Sequence, residues 1–295
     1  MDLFLGIDIG GGSIRGSLLD SEGKLHAEDK ITTNREWNNS EFLNNTTELI
    51  SKFTSHHQFE AIGIGSPGPL NIEEGKILHS ANLINLKDVP IKKTLEEKFK
   101  KKVYLNNDAN CAALGEYHFG SGKGSQSMVI FTLGTGLGSG WILNGKLFNG
   151  YNGNAFEIGH TTVVLGGAIC GCGKKGCAES YFSARGFLNR YKDKTGKELE
   201  SAAEFFDLAS KGEKNALEIL DFGTECFAEA IRNVVHTVNP DKIVLVGGLT
   251  QSYSLFGDKL NSFLKNKTFP ELYNHFKLEL GQNVAGSFGA ASLCF

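Results

Sequence analysis

A pattern of strand, glycine-rich turn and strand opens the chain and recurs near its middle. The first copy reads LFLGIDI, GGGS and IRGSLLD, and a second turn leads into KLHAEDK. The other copy reads SMVIFTL from residue 127, then GTGLGSG at residues 134–140, then WILN. Short apolar runs joined by tight turns predict three antiparallel strands in the first thirty residues. The recurrence indicates a chain built from two similar halves.

Helices and strands alternate through the rest of the chain. Helices are predicted over residues 39–53, 91–100 and most of 183–238, and strands at AIGIG, VYLN and KIVLV. The last residues, VAGSFGAASLC, are small enough for a helix that packs closely against its neighbours. Strands interleaved with helices in two similar halves predict an α/β protein with a cleft between two lobes.

The composition is that of a globular protein and excludes several classes of partner. The 295 residues include 37 glycines, with 40% apolar and 21% charged residues and a net charge of −3. Such a chain has no electrostatic footprint for nucleic acid or an anionic membrane, so small molecules are the expected partners. The N-terminus lacks the pattern of a signal peptide, and no apolar run is long enough for a membrane span. Six cysteines without a disulfide framework fit a reducing compartment, so we expect a cytoplasmic protein.

A histidine and three cysteines lie close together in the segment EIGHTTVVLGGAICGCGKKGCAE, which runs from Glu157 to Glu179. Three thiolates and one imidazole complete a tetrahedral zinc shell with no open position, so the predicted zinc is structural. The folded knuckle would bring Glu157 and Glu179 close together. A cysteine-rich loop in a reduced protein, or a redox pair at Cys170 and Cys172, is the alternative. The predicted zinc ligands are His160, Cys170, Cys172 and Cys177.

Three glycine turns at strand ends predict a site for a polyphosphate. Consecutive glycines let backbone N–H groups approach an anion, and a carboxylate at the end of a strand can hold magnesium through water. A plain hairpin is the alternative for any one turn. The chain contains neither a Walker motif nor a dinucleotide fingerprint. The predicted ATP-binding residues are Asp8, Gly10, Gly11, Gly12, Ser13, Gly134, Thr135, Gly136, Gly138, Gly247 and Gly248.

Polar residues follow the strand VYLN at Asn106, Asn107 and Asp108, where a helix is predicted to begin. Asp108 fits two interpretations: it caps the helix, or it acts as a general base beside an amide that holds a hydroxyl group. Glu157, His160 and Glu179 supply further carboxylate and imidazole partners. Because sugar hydroxyls need such donors and acceptors, these residues together predict a polyol site.

These motifs resemble the ROK family of sugar kinases and sugar-responsive repressors, within the actin-like, RNase H-like ATPase superfamily. The resemblance implies a two-lobed fold with a central cleft, with residues 1–113 and about 282–295 in the N-terminal lobe and 114–281 in the C-terminal lobe. It also implies a homodimer. The motifs are DIGGGSIRG at Asp8, GIGSPGPLN at Gly63, SANL at Ser80, NNDANCAALGE at Asn106, TLGTGLGSG at Thr132, EIGH at Glu157, CGCGKKGCAE at Cys170 and VGG at Val246.

The resemblance implies ATP-dependent, glucokinase-like phosphorylation of a hexose with Mg²⁺, with Asp108 as the general base. One ring nitrogen of His160 would bind zinc and the other would face the sugar. The alternatives are a kinase for N-acetylmannosamine or N-acetylglucosamine, a fructokinase, a non-catalytic sugar sensor and a repressor. The repressor is the least expected, because the repressors of the family carry a DNA-binding domain before the first glycine-rich strand and only seven residues precede Asp8. The implied sugar-binding residues are Ser66, Pro67, Gly68, Asn82, Asn107, Asp108, Glu157, His160 and Glu179.

Three departures from the family pattern bear on the substrate. Gly12 and Ser13 stand where the family usually has threonine and lysine, which weakens the expected phosphate contacts there. Phe156 stands where the family usually has glycine, directly before Glu157. Ile84 and Asn85 replace a Gly-Trp pair. These changes keep the reaction class and leave the identity of the sugar open.

Overall fold

The computed structural model describes residues 2–80, 83–284 and 286–295, and it divides into two compact units. The first unit comprises Met1–Gly124, Gly140–Phe156 and Gln282–Phe295, and the second comprises Ser125–Ser139 and Glu157–Gly281. The lobe bounds expected from the sequence place residues 114–124 and 140–156 in the C-terminal lobe, whereas this division places them in the first unit. Asn82, a predicted sugar-binding residue, lies outside the described residues.

The first unit is built on a five-stranded sheet. The predicted antiparallel strands are β1 (Leu3–Ile9), β2 (Ser13–Asp20) and β3 (Leu25–Thr32). Two further strands run parallel to β1 on its other side, β4 (Ala61–Ser66) and β8 (Lys102–Asn107). The strand order is β3-β2-β1-β4-β8. A small sheet of β5 (Leu70–Asn71), β6 (Lys76–His79) and β7 (Lys87–Val89) was not predicted, because such short strands carry little sequence periodicity.

The helices of the first unit are α1 (Asn39–Thr54), α2 (Ile91–Phe99), α3 (Asp108–Phe119) and α9 (Gly286–Ala291). Helix α9 packs between the sheet and α3 by way of glycines. A Cβ on Gly6 would lie 1.7 Å from the Ser287 oxygen, and a Cβ on Gly63 would lie 1.8 Å from the Ala290 oxygen. The close packing predicted for the C-terminal helix is confirmed.

The second sheet repeats the arrangement of the first. Its strands are β9 (Ser127–Leu133), β10 (Leu137–Leu143), β11 (Lys146–Leu147), β12 (Lys242–Val246) and β13 (Lys277–Leu280). Their order is β11-β10-β9-β12-β13, so the predicted recurrence is confirmed. The glycine turn is shorter than predicted: β10 begins at Leu137, so the turn spans residues 134–136, and Gly138 belongs to the strand.

Five helices belong to the second unit: α4 (Ala184–Thr195), α5 (Ala202–Ser210), α6 (Lys214–Val238), α7 (Gly257–Lys267) and α8 (Pro270–Tyr273). The helix predicted over residues 183–238 is thus divided into three. Gly196 and Gly212 lie at the breaks with φ of 73° and 82°, a left-handed conformation that ends helices. Among the described residues, none of the helices combines the length and apolar character that a bilayer crossing requires.

Candidate active site and metal centre

Polar side chains meet at the carboxyl edge of the first sheet. In the parallel pairing, Asp8 is opposite Gly65, and Ser66 is opposite Asn107. Asp108 follows at once as the first residue of α3. The carboxyl ends of neighbouring strands are where α/β proteins commonly place their ligands. We call Asp8, Asn107 and Asp108 the carboxylate corner.

The Asp8 carboxylate is held in a confined position. A Cβ on Gly286 would lie 2.7 Å from Asp8 Oδ2, so only glycine fits at the start of α9. The pKa of Asp8 is raised to about 6, chiefly by burial and next by the negative charge of Asp108, while Arg15 opposes both effects. Near neutral pH the carboxylate is charged and incompletely balanced by the chain, a state that favours a cation ligand.

Asp108 is exposed to solvent, yet desolvation by the surrounding protein raises its pKa, and the Ala109 N–H bond lowers it only in part. Asn107, not Asp108, is the N-cap of α3, and its Oδ1 accepts the Ala109 N–H at 2.9 Å. The interpretation of Asp108 as the N-cap is therefore wrong by one residue, because either side chain suits that position. Asp108 is not needed to cap the helix.

The other predicted sugar-binding residues of the first unit fall into two groups. Asn107 Nδ2 lies 3.6 Å from the position of a Cβ on Gly68, so Gly68 lies beside the corner. Ser66 is fully buried at the end of β4, and its hydroxyl donates to the Pro67 carbonyl at 3.1 Å. Gly68 and Asn107 thus lie with Asp108 at the surface, whereas Ser66 is inside the sheet.

The ligand atoms of the predicted zinc site converge. One ligand atom from each of His160, Cys170, Cys172 and Cys177 lies within 4.8 Å of all the others. Cys172 Sγ and Cys177 Sγ are 3.7 Å apart, and Cys170 Sγ is 3.5 Å from His160 Nδ1. A tetrahedron with Zn–S bonds of ~2.3 Å has edges of about 3.8 Å, so this donor set fits a zinc ion.

Tight turns hold the metal-binding side chains in place. The Gly173 N–H donates to the Cys170 carbonyl at 2.9 Å, and the Cys170 N–H donates to the Lys174 carbonyl at 2.8 Å. Gly176 has φ of 81°, and a Cβ there would lie 1.8 Å from the Val164 oxygen. Burial, together with the neighbouring thiols, raises the pKa of Cys177 to about 12. A divalent cation would reverse that shift, because it stabilises the thiolate.

Glu179 lies between the knuckle and the second glycine turn. Its Oε2 accepts the Leu137 N–H at 3.1 Å, and its Oε1 accepts from Arg185 at 2.9 Å. A Cβ on Gly136 would lie 2.4 Å from Oε2, so the turn contacts the carboxylate directly. The EIGH segment meets the same strand, since a Cβ on Gly159 would lie 2.0 Å from the Leu137 oxygen. Both predicted sugar-binding segments of this unit are therefore anchored at Leu137.

The glycine turns differ in how much space surrounds them. The positions of a Cβ on Gly12, Gly134 and Gly248 are open, as a turn that receives a ligand requires. Gly247 is different: its φ is 103°, and a Cβ there would lie 2.5 Å from the Leu133 oxygen. Gly247 therefore allows the turn to pack closely against β9, whereas the backbone at Gly248 has open space beside it.

Two important residues were missed from the sequence. Arg185 forms an ion pair with Glu179. The sequence indicates its position only through Ser183, whose side chain caps α4 and so places Arg185 in the first turn of that helix. Glu116 is buried, and its carboxylate accepts backbone N–H groups from Val284 at 3.0 Å, Gln282 at 3.2 Å and Ser121 at 3.0 Å. Glu116 thus anchors the segment that precedes α9, and no local pattern reveals it.

Several known proteins are similar to this chain in fold and in sequence. The model of the ROK family matches residues 4–295. A glucokinase from Halalkalibacterium halodurans is 33% identical, with 98% of this chain and 94% of that protein covered. A ROK hexokinase structure from Thermus thermophilus has a TM-score of 0.87 at 28% identity, covering 98% and 97% of the two chains. A Streptomyces griseus ROK glucokinase, solved with glucose and AMPPNP, has a TM-score of 0.82 at 28% identity, covering 99% and 98%. This chain belongs to the ROK family.

Proposed function

We propose that the protein is an ATP-dependent sugar kinase that transfers a phosphoryl group to a hydroxyl of a hexose, with glucose as the first substrate to test. The observation that carries the proposal is the carboxylate corner, in a chain that matches a glucokinase over nearly its whole length. Two close carboxylates with raised pKa values suit a reaction that needs both a cation ligand and a proton acceptor.

In this proposal Asp108 accepts the proton of the attacking hydroxyl. A raised pKa improves a carboxylate as a base near neutral pH. The Asn107 Nδ2, which is not needed for the helix cap, donates to a sugar hydroxyl. The remaining hydroxyl partners are Glu157, the second ring nitrogen of His160, and Glu179, with Pro67 and Gly68 against the ring.

The proposed nucleotide site uses the three glycine turns. Phosphoryl transfer asks a protein mainly for alignment and for neutralisation of charge. Mg²⁺, when bound with ATP, would supply that neutralisation. Asp8 is the proposed Mg²⁺ ligand, directly or through water. The open backbone at Gly12, Gly134 and Gly248 is the proposed phosphate contact.

The proposal extends to zinc, domain roles and assembly. The fit of His160, Cys170, Cys172 and Cys177 to a tetrahedral shell supports a structural zinc ion, which would fix the backbone that carries Glu179. We also propose that the two compact units act as the two lobes of the kinase, the first containing residues 1–113 and 282–295 and the second the greater part of residues 114–281. A cytoplasmic homodimer completes the proposal.

Measurement of ADP release tests the function most simply. The purified protein is supplied with MgATP and, in turn, with glucose, fructose, mannose and their N-acetylated amino forms. Turnover that requires a hexose supports the proposal. Turnover confined to an N-acetylhexosamine or to fructose selects one of the alternative kinases. Sugar binding without turnover by any member of the panel would indicate a sensor and refute the kinase.

A further inference from the structure

Phe156 occupies a backbone conformation that normally requires glycine. Its φ is 67°, in the left-handed region where a bulky side chain is strained. Its ring packs against Trp141, with ring centroids 5.6 Å apart and planes inclined by 31°. Trp141 also packs against Phe148, at 4.7 Å between centroids. These three side chains, Phe148, Trp141 and Phe156, form what we call the aromatic wall.

The segment that carries the wall is fastened to the carboxylate corner. Asn149 Oδ1 accepts from Asn106 Nδ2 at 3.0 Å, and Asn106 Oδ1 in turn accepts the Asn107 N–H at 2.8 Å. One side-chain hydrogen bond therefore connects residue 149, next to Phe148, to the residue that precedes Asn107. This link fastens the residue after Phe148 to the residue two positions before Asp108.

A second link joins the same segment to the chain that follows Gly68. Asn154 Nδ2 donates to the Leu70 carbonyl at 3.2 Å, and a Cβ on Gly153 would lie 2.3 Å from Ile72 Cγ1. Phe156 itself directly precedes Glu157 in the sequence. The segment is thus fixed to the three stretches that supply Gly68, Asn107 and Glu157, all proposed sugar-binding residues.

We propose that Phe156 is a specificity-determining residue that restricts the sugar site to plain hexoses and excludes N-acetylhexosamines. The inference rests on the proposed kinase function and names its substrate class. A phenyl ring fills the volume that a glycine would leave open, and its contact with the Trp141 ring restricts its rotation. An acetamido group is larger than a hydroxyl, and burying it against aromatic carbon would leave its amide without a partner. Strain of this kind persists where the surrounding structure imposes it, and it concentrates at functional sites.

The test compares kcat/KM for glucose with kcat/KM for N-acetylglucosamine. In Phe156→Gly the backbone strain is relieved and the volume is opened. We expect the preference for glucose to fall roughly 10- to 200-fold, mainly through faster use of the N-acetylated sugar. Phe156→Asn, which tolerates a left-handed backbone, should change in the same direction and provides a second folded variant. Tyr151→Ala removes a fully exposed aromatic side chain from the same segment and should leave the preference unchanged.

The outcomes separate the inference from the proposed function. A wild-type protein that phosphorylates glucose, with the same preference in both Phe156 variants, overturns the inference and leaves the kinase standing. A wild-type preference for N-acetylglucosamine also overturns it. A wild-type protein that phosphorylates no sugar refutes the proposed function, and the inference with it.

Discussion

In the carboxylate corner of the first unit, Asp8 lies close enough to Asp108 for their negative charges to repel, whereas in the second unit Glu179 is bonded to Arg185 and to the Leu137 N–H. The first cluster keeps carboxylates whose charge is only partly compensated by the chain. The second satisfies both oxygens of its carboxylate from within the fold. The two clusters therefore suit different roles. The corner can bind a cation and accept a proton, whereas the Glu179 carboxylate is fixed in one orientation by its hydrogen bonds.

The largest effect is expected from Asp108→Asn. Asn107 still caps α3, so the fold should change little, and the loss of a helix N-terminal charge costs only about 0.3–1 kcal/mol. Loss of a general base typically lowers turnover by ~10²- to 10⁴-fold. We expect kcat for glucose to fall by this factor while calorimetry gives an unchanged glucose affinity. Near-normal turnover would remove Asp108 from the proposed chemistry.

Removal of the metal site should affect the second unit most. In Cys172→Ser one of four ligand atoms is replaced, and we expect zinc, measured by atomic emission, to fall from one per chain to nearly none. The melting temperature and the glucose affinity should fall together, because the knuckle carries Glu179. Cys294→Ser, which changes a free thiol of the first unit, is the control. A metal-free protein with unchanged stability would contradict the zinc proposal.

Glu116→Gln tests how the corner is held together. The glutamine side chain would place its own N–H group against the backbone N–H groups that Glu116 accepts. Buried backbone donors would then lose their acceptor, which lowers the free energy of unfolding by about 2–3 kcal/mol. Urea unfolding should show that loss. Glu96→Gln is the matched control, because Glu96 accepts a single backbone N–H, from Val103 at 3.1 Å. Equal effects of the two substitutions would show that Glu116 has no special anchoring role.

A smaller effect is expected from Arg185→Leu. This change leaves the Glu179 carboxylate bonded to Leu137 but removes its ion pair, whose arginine is 43% exposed. A lost charge-assisted hydrogen bond of about 1.5 kcal/mol corresponds to a rise in the KM for glucose of roughly tenfold, with kcat nearly unchanged. Lys192→Leu, on the same helix and paired with Glu198, should leave the KM unchanged. If both variants have the wild-type KM, Glu179 needs no orienting partner.

The architecture was more predictable than the bonds that hold the site. Apolar runs ending in glycine turns identified β1, β2, β9 and β10, because burial and turn geometry are local properties of the sequence. The N-cap of α3 was misplaced by one residue, since adjacent asparagine and aspartate residues suit the position equally. The turn at 134–136 was predicted too long, because glycine is also compatible with a strand when a neighbouring segment packs closely.

The partners of Glu179 and Glu116 could not be predicted, for a different reason. Arg185 becomes a neighbour of Glu179 only after the elements have packed. The same holds for the backbone N–H groups of residues 282 and 284, which donate to Glu116. Nothing in the spacing of those residues marks the contact. The convergence of His160, Cys170, Cys172 and Cys177 was predictable, because the chemistry of the ligands and the glycines between them are both visible in one short segment.

The electrostatic coupling between Asp8 and Asp108 is the central property of the carboxylate corner, and an NMR titration of carboxyl ¹³C shifts can measure it in the nucleotide-free protein. We expect Asp8 to titrate near pH 6, so that it becomes protonated, and loses Mg²⁺ affinity, as the pH falls through that value. In Asp108→Asn the pKa of Asp8 should move down because one cause of its elevation, the neighbouring charge, is gone. It should stay above the ordinary value, because burial is the larger cause. An Asp8 that titrates near pH 4 in the wild-type protein, or one whose pKa is unchanged in Asp108→Asn, would contradict the account.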